Sequence, residues 1–231
     1  MALQAALDIR PGLTSIIGGG GKSTLLLSLG KELSKAGHKT ILCTSTHMLP
    51  QPDVPLAKEV EHVVELFRKA PLVCFGVLGE DGKLHQETPI KDILCLADYV
   101  LCEADGSKHL PLKAHAPHEP NIPYETKRLV YVVGLDGIGQ PISRVAHRPS
   151  LYAALLGADE EHIVSPGDVV RAILAEGYGT EITLLLNKAE GERLAIGKEV
   201  AALWPGRAVI ACLEEAEPIK EIWKDGRKQE K

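Results

Sequence analysis

The sequence predicts an α/β fold in which a predominantly parallel sheet carries helices on both faces. Short runs rich in Ile, Val and Leu recur along the chain, and helical patterns separate many of them. The apolar runs do not alternate cleanly with polar residues, which is typical of parallel strands that are buried on both sides. A glycine-rich segment joins the first apolar run to the first helical pattern and predicts a strand-loop-helix unit near the start of the chain.

The apolar runs and the periodic segments between them give the order of elements. Seven strands are predicted, at 13–17, 40–44, 72–77, 99–103, 129–133, 182–186 and 208–212. Five helices are predicted, at 22–36, 57–70, 149–156, 166–175 and 190–203. Right-handed crossovers place the loops that follow parallel strands along one edge of the sheet, where such folds bind ligands.

Two segments depart from this plan. Residues 106–127 contain four prolines and little periodicity, and about twenty residues of irregular chain favour a functional binding loop or lid, with a plain surface loop as the alternative. The charged segment 224–231 is expected to fray.

Composition narrows the function classes. The 231 residues suit one α/β domain spanning 1–231, and the net charge of −5 argues against a nucleic-acid or membrane-surface binder. The start of the chain does not resemble a signal peptide, and no apolar run approaches the ~20 residues of a membrane span. An odd number of cysteines in apolar stretches, without a C-x-x-C pair, indicates reduced, buried thiols and a cytoplasmic protein. These cysteines are Cys43, Cys74, Cys95, Cys102 and Cys212.

The glycine-rich segment is the strongest functional signal. It consists of Gly18, Gly19, Gly20, Gly21, Lys22, Ser23 and Thr24. Successive glycines let several backbone amides turn toward one anion at the start of a helix, the lysine supplies charge, and the following hydroxyl can bind Mg²⁺. Ile16 occupies the place of the first glycine of the longer phosphate-loop pattern, and the shorter form resembles the loop of Mur-ligase-type ATP-binding enzymes. We therefore predict a P-loop NTPase-like nucleotide site; the alternative is a glycine-rich turn without a ligand.

Carboxylates follow the fourth predicted strand. Glu103 and Asp105 are two residues apart, so on an extended strand they face the same side and can share one metal ion. Phosphate-loop enzymes place the acid that holds Mg²⁺ at such a strand end, so both are also candidate catalytic residues together with Lys22. Solvated charges at a strand end are the alternative.

Asn187 and Lys188 follow a later strand and approach the Asn-Lys-x-Asp element with which many GTPases bind guanine. The fourth position holds Glu190, which is one methylene longer than aspartate. Both ATP and GTP therefore stay open as ligands, and a simple strand-to-helix turn is the alternative.

The irregular segment brings cations, imidazoles and a carboxylate together. Lys108 and Lys113 could hold an anionic second substrate, and His118 with Glu119 could transfer protons or bind metal. The spacing between His115 and His118 offers at most two ligands, so a substrate or partner surface is favoured over a transition-metal site.

Two further pairs lie near predicted strand and helix ends. Thr46 and His47 follow the second strand, and His147 and Arg148 precede a predicted helix. An arginine offers a fork of donors, so the second pair could bind a phosphate, with a solvated helix start as the alternative.

The motifs described above are spread along residues 10–190. The segments are 18–24, 44–48, 103–108, 110–113, 118–120, 134–136 and 147–149. Together they resemble the YqeC family, whose members are regarded as accessory proteins of selenium-dependent molybdenum hydroxylases. The resemblance implies a maturation factor that uses a nucleotide in preparing or inserting a selenium- or molybdenum-containing cofactor for a hydroxylase client.

The leading hypothesis is a cytoplasmic nucleoside triphosphatase that binds ATP or GTP with Mg²⁺ and recognises a client or cofactor species through 108–119. A small-molecule kinase or ATP-dependent ligase is the second hypothesis. A nucleotide-gated binding module without turnover is the third, because no catalytic base is fixed by the sequence. The oligomeric state is not indicated.

Overall fold

A computed structural model describes residues 1–229 and has a ten-stranded sheet at its centre. The strand order is β15-β14-β13-β12-β10-β1-β8-β2-β5-β4, and every neighbouring pair from β13 to β4 is parallel. The last two strands pair antiparallel at one edge. The strands are β1 (Gly12–Gly18), β2 (Thr40–Thr44), β3 (His47–Met48), β4 (Leu56–Ala57), β5 (Leu72–Phe75), β6 (Val77–Leu78), β7 (Leu84–His85), β8 (Tyr99–Glu103), β9 (Leu112–Lys113), β10 (Arg128–Gly134), β11 (Ala146–His147), β12 (Thr183–Asn187), β13 (Arg207–Ala211), β14 (Ile219–Lys224) and β15 (Arg227–Lys228).

Helices cover both faces of this sheet. Leucines of the second helix pack on one face, whereas the last two helices pack on the other against the opposite side chains of β12 and β13. The helices are α1 (Leu3–Ala6), α2 (Lys22–Lys35), α3 (Val60–Leu66), α4 (Ile142–Val145), α5 (Pro149–Leu156), α6 (Pro166–Ala175) and α7 (Arg193–Leu203), with 3₁₀ helices at Ile90–Leu96 and Leu135–Gly137. Successive residues of β12 show the alternation, because Leu184 and Leu186 join one core and Leu185 joins the other.

The predicted fold class is confirmed: the sheet is predominantly parallel, has helices on both faces and contains a strand-glycine loop-helix unit typical of P-loop NTPase-like folds. All seven predicted strands and all five predicted helices are present. The helix predicted at 57–70 is shorter than expected, because Ala57 belongs to a strand and the helix covers only Val60–Leu66. Within residues 1–229, no helix combines the length and the apolar character needed to cross a membrane.

The expectation that 224–231 is frayed is wrong for its first part. Lys224 ends β14, and Arg227–Lys228 pairs with it as β15. Lys228 also forms an ion pair with Glu221, which is buried under this edge of the sheet. Residues 230–231 lie outside the described part of the chain.

The segment 106–127 is irregular, as predicted, but its centre is buried. Its one described strand, β9, pairs in parallel with β11, so that Lys113 lies opposite His147. Leu112, Lys113 and Ala114 are each at most 2% exposed. This part of the segment is therefore packed into the core beside the site.

Candidate functional site

The glycine loop has a backbone that only glycine adopts easily. Gly18, Gly20 and Gly21 have φ values of 94°, 79° and 128°. A Cβ atom on Gly20 would lie 2.3 Å from the backbone nitrogen of Gly134, so the loop also needs glycine for its close approach to the end of β10. This loop therefore requires glycine for two structural reasons, which are its backbone conformation and the lack of space for a Cβ atom.

Three amides of this loop bond to the protein itself. The N–H of Gly18 donates to Asp105 Oδ2 at 2.9 Å. The N–H groups of Gly19 and Gly20 donate to the carbonyl oxygens of Val132 and Leu110 at 2.9 and 3.0 Å. The start of the loop is thus held by β10 and by the irregular segment.

The next amides are arranged differently. Lys22, Ser23 and Thr24 form the first turn of α2, a helix of 14 residues, and their N–H groups meet no acceptor among residues 1–229. Such a turn concentrates free donors and the positive end of the helix dipole at one point. Its position after the glycine loop gives it the geometry of a phosphate site.

The Lys22 side chain is buried at the centre of the site. Its Nζ donates to the carbonyl oxygen of Gly18 at 2.7 Å and to Ser107 Oγ at 3.0 Å. It lies 3.2 Å from Asp105 Oδ1 and 3.9 Å from Glu103 Oε1. Sequence reasoning did not single out Ser107 as a lysine partner, although it follows directly after the carboxylate motif.

The two carboxylates at the end of β8 have different partners. Glu103 Oε2 accepts a hydrogen bond from Ser23 Oγ at 2.8 Å, which links it to the start of α2. Asp105 is fully buried, and its contacts are with the glycine loop and three cationic side chains. The two acids that the sequence places two residues apart therefore face different partners in this structure.

The pKa values of these acids shift in opposite directions. Burial raises the pKa of Glu103, and the charge of Lys22 and the Ser23 hydrogen bond only partly oppose it. Burial also acts to raise the pKa of Asp105, but the hydrogen bond with His115 and the charges of Lys22 and Lys113 outweigh burial and hold that pKa well below its usual range. These shifts favour the ionised form of Asp105, whereas Glu103 gains most from a nearby cation.

A second group of charges extends from Asp105 into the irregular segment. Lys113 Nζ lies 3.3 Å from Asp105 Oδ2 and 2.9 Å from Glu119 Oε2. Glu119 also pairs with Arg148 at 3.1 Å. Lys113, Glu119 and Arg148 are thus brought together, a contact that the sequence did not predict for Arg148. They neutralise one another, and the Lys113 side chain has no exposed surface.

His115 continues this network away from the glycine loop. Its Nε2 lies 2.7 Å from Asp105 Oδ2, and its Nδ1 lies 3.0 Å from Glu176 Oε2. Burial acts to lower the pKa of His115, but the two carboxylates outweigh it and raise the pKa. Both ring nitrogens are occupied, so His115 does not form a metal-binding pair with the exposed His118.

The other side of the loop contacts β12 through a neutral side chain. Asn187 Nδ2 donates to the carbonyl oxygen of Gly20 at 2.8 Å, and its Oδ1 accepts from the Leu213 N–H at 3.1 Å. Lys188 forms an ion pair with Asp136 at 2.7 Å. Glu190 contacts Arg193 and the thiol of Cys212.

The remaining predicted residues lie around the rim. Thr46 bonds back to Thr44, whose hydroxyl donates to the carbonyl oxygen of Glu103, and this places the end of β2 against β8. His47 is exposed on β3, where it pairs with β7. Exposed side chains of the irregular segment include Lys108 and His118.

His147 lies on β11, and Arg148 precedes α5 with φ of 67°. Burial, together with the charges of Lys113 and Arg148, lowers the pKa of His147. Of the five cysteines, all of which are free thiols, four are buried as expected. Cys95 is the exception and is exposed.

The donor set at the start of α2 fits Mg²⁺. The Ser23 hydroxyl and the Glu103 carboxylate are oxygen ligands of the kind that this cation prefers, and their oxygens are already 2.8 Å apart. Asp105 fits less well, because its Oδ2 is taken by the Gly18 N–H and by His115 and its Oδ1 faces Lys22.

Comparison with known proteins gives the family. A family model described as "YqeC protein" matches residues 14–150. A YqeC protein of Escherichia coli (strain K12) is 31% identical over 183 residues, which cover 75% of this chain and 72% of the relative. A solved structure of the signal recognition particle 54 kDa protein from Aeropyrum pernix K1, in complex with GDP, matches with a TM-score of 0.45 and 17% identity; the match covers 93% of this chain but only 45% of the other. The extent of the family match and the identity to the E. coli relative show that this chain belongs to the YqeC family.

Proposed function

We propose that this protein binds ATP or GTP with Mg²⁺ and hydrolyses it. The observation that carries the proposal is the Ser23–Glu103 hydrogen bond of 2.8 Å at the free amides of α2, directly beside the buried Lys22. A helix start with free donors, a lysine and an oxygen-ligand pair are the parts with which phosphate-loop proteins bind a metal-nucleotide complex.

Each residue has a separate role in this proposal. The amides of Lys22, Ser23 and Thr24 bind the phosphates, and the Lys22 ammonium neutralises charge on the outer phosphates. Ser23 and Glu103 hold Mg²⁺, which when bound neutralises phosphate charge. Catalysis then rests mainly on positioning and charge neutralisation, as is usual for phosphoryl transfer.

The proposed client of this protein rests on its resemblance to the YqeC family. We propose that nucleotide hydrolysis in the cytoplasm supports maturation of selenium-dependent molybdenum hydroxylases, through preparation or insertion of their cofactor. Because Lys113, Glu119 and Arg148 are mutually paired, the client or cofactor species is expected to contact the exposed Lys108 and His118 at the rim.

A cavity favours one alternative, a kinase or ligase that acts on a small polar molecule. It measures about 330 Å³ and is lined by Ser45, Gln86, Lys91 and Asn121 among others. The Ser45 and Asn121 N–H groups donate to the carbonyl oxygens of Glu103 and Ala104, so the cavity adjoins the end of β8. A second substrate bound there would lie at the end of β8, the strand that also carries Glu103.

Calorimetric titration with ATP and with GTP, each with and without Mg²⁺, tests the proposal. Lys22→Ala is expected to abolish Mg-nucleotide binding, and Lys31→Ala, an exposed lysine on the same helix, is the matched control. Unchanged affinity in Lys22→Ala would overturn the assignment.

The products separate the alternatives. Free phosphate released in the presence of a client protein supports the accessory role, whereas phosphate transferred to a small molecule supports the kinase. A non-catalytic binding module is excluded by turnover well above the rate without protein.

A further inference from the structure

Glu176 and His115 form a buried chain of contacts that ends at the glycine loop. Glu176 Oε1 accepts from the backbone N–H of His115 at 2.6 Å, and both carboxylate oxygens lie 3.0 Å from His115 Nδ1. The opposite nitrogen, Nε2, meets Asp105 Oδ2, which also accepts the Gly18 N–H. Residues 61 positions apart in sequence are thus joined to the first glycine of the loop.

The position of Glu176 is unfavourable for a carboxylate that has no cationic partner. It caps the C-terminal end of α6, where the helix dipole disfavours a negative charge, and its side chain is only 7% exposed. A buried carboxylate at that position needs a compensating cation, and His115 provides it. The Tyr131 hydroxyl adds a hydrogen bond to Glu176 Oε2 at 3.3 Å.

The two oxygens of Asp105 are separated by this arrangement. Oδ2 accepts a hydrogen bond from the Gly18 N–H and contacts His115 Nε2. It also lies 3.3 Å from Lys113 Nζ. Oδ1 faces Lys22 at 3.2 Å. The orientation of the carboxylate is therefore fixed through Oδ2, whether or not Lys22 moves toward a phosphate.

We propose that Glu176, acting through His115, is a positioning residue that fixes Asp105 and thereby holds the glycine loop in its binding shape. Asp105 then serves the loop and Lys22, and Glu103 with Ser23 serves the metal. This proposal deepens the proposed function, because the loop that it stabilises is the phosphate site.

The test combines a loop readout with a ligand readout. In Glu176→Ala, the Gly18 amide is expected to lose hydrogen-exchange protection by about tenfold, measured by NMR, because its acceptor is no longer held in place. Affinity for a fluorescent ATP analogue without Mg²⁺ is expected to fall by a similar factor, while the ratio of affinities with and without Mg²⁺ stays unchanged. Glu176→Gln keeps an acceptor oxygen and is expected to restore most of both losses.

Controls separate this role from a general loss of stability. Glu181→Ala changes an exposed glutamate shortly after α6 and is expected to leave both readouts unchanged. Where Glu176→Ala does not fold, His115→Gln replaces it, and urea unfolding identifies such variants. Equal protection of Gly18 in the wild type and in the Glu176 or His115 variant overturns the positioning role. A wild type that binds no nucleotide overturns the proposed function instead, because the Gly18 readout decides the positioning role without any ligand.

Discussion

Besides its backbone hydrogen bonds to Val132 and Leu110, the glycine loop has side-chain contacts on two sides, with charged groups at the end of β8 and with a neutral amide at the end of β12. On the β8 side, Asp105 contacts Gly18, and lysine and histidine side chains surround that carboxylate. On the β12 side, Asn187 joins Gly20 to Leu213 without any charge. Interactions between buried charges depend on protonation and on bound cations, whereas an amide clamp does not. The β8 side is therefore where we expect ligand chemistry, and the β12 side is where we expect constant support.

The largest effect is expected on the β8 side, when Glu103, the acid that is proposed to hold Mg²⁺, is changed. Glu103→Gln keeps the size of the side chain but removes the charge that would hold Mg²⁺. We expect the gain in nucleotide affinity that Mg²⁺ produces to fall by about tenfold or more, since charge-assisted contacts are the strong ones. Calorimetry with and without Mg²⁺ measures it, and Glu214→Gln, in the exposed loop after β13, is the control. An unchanged Mg²⁺ effect would remove Glu103 from the metal site.

Asn187→Ala tests the neutral side. The substitution leaves the carbonyl oxygen of Gly20 and the N–H of Leu213 without their partner, and both bonds are buried. We expect the free energy of unfolding to fall by about 1–3 kcal/mol, measured by urea denaturation. Lys188→Ala removes only a partly exposed ion pair with Asp136 and should cost less than about 1 kcal/mol. Equal losses of unfolding free energy in the two variants would contradict the idea that Asn187 supports the glycine loop.

The pH dependence of stability should distinguish the two sides more finely. The raised pKa of His115 means that its contribution is fully present below its ordinary pKa of about 6.5 and is lost as the pH rises through the raised value. The depressed pKa of Asp105 means that its contribution is present above about pH 4 and is lost only in stronger acid.

Thermal unfolding of His115→Gln and of Asn187→Ala across pH 5 to 9 measures this difference. The loss of stability of His115→Gln relative to the wild type should shrink as the pH becomes alkaline. The loss of stability of Asn187→Ala should stay constant across this pH range. A constant deficit in both would show that the β8 side does not depend on the charge of His115.

The sequence predicts that the ends of β8 and β12 lie beside the glycine loop, although it does not predict that Asn187 bonds to Gly20. Parallel strands end at one edge, so residues that follow apolar runs, such as Glu103 and Asn187, are brought to the glycine loop by the sheet itself. The partners of Asp105 are less predictable. Glu176 comes to His115 through the packing of α6, and no local spacing encodes such a contact.

Strand β14, which lies next to the edge strand β15, was missed for a related reason. Its residues Ile219–Lys224 mix apolar and charged side chains without a continuous apolar run, and its pairing with β13 is antiparallel. Continuous apolar runs indicate strands that are buried on both faces and do not reveal a strand of this kind. The same bias explains why the short strands of the rim, such as β3 and β9, were not predicted.

The smallest effect is expected from Glu190, the residue that stands where a guanine-reading aspartate would be. Its carboxylate is 45% exposed and is directed to Arg193 at 3.0 Å and to the Cys212 thiol at 3.1 Å. Glu190→Ala should change the free energy of unfolding by less than about 0.5 kcal/mol, because exposed ion pairs contribute little. Since the carboxylate already has these partners, the ratio of ATP to GTP affinity should stay within about threefold of the wild-type ratio. Paired titrations of the variant and of Glu192→Ala, an exposed neighbour, measure that ratio. A fall in GTP affinity alone would show that the β12 side also contacts the base of the nucleotide. The β12 side would then bind ligand as the β8 side does, and it could not be described as structural support alone.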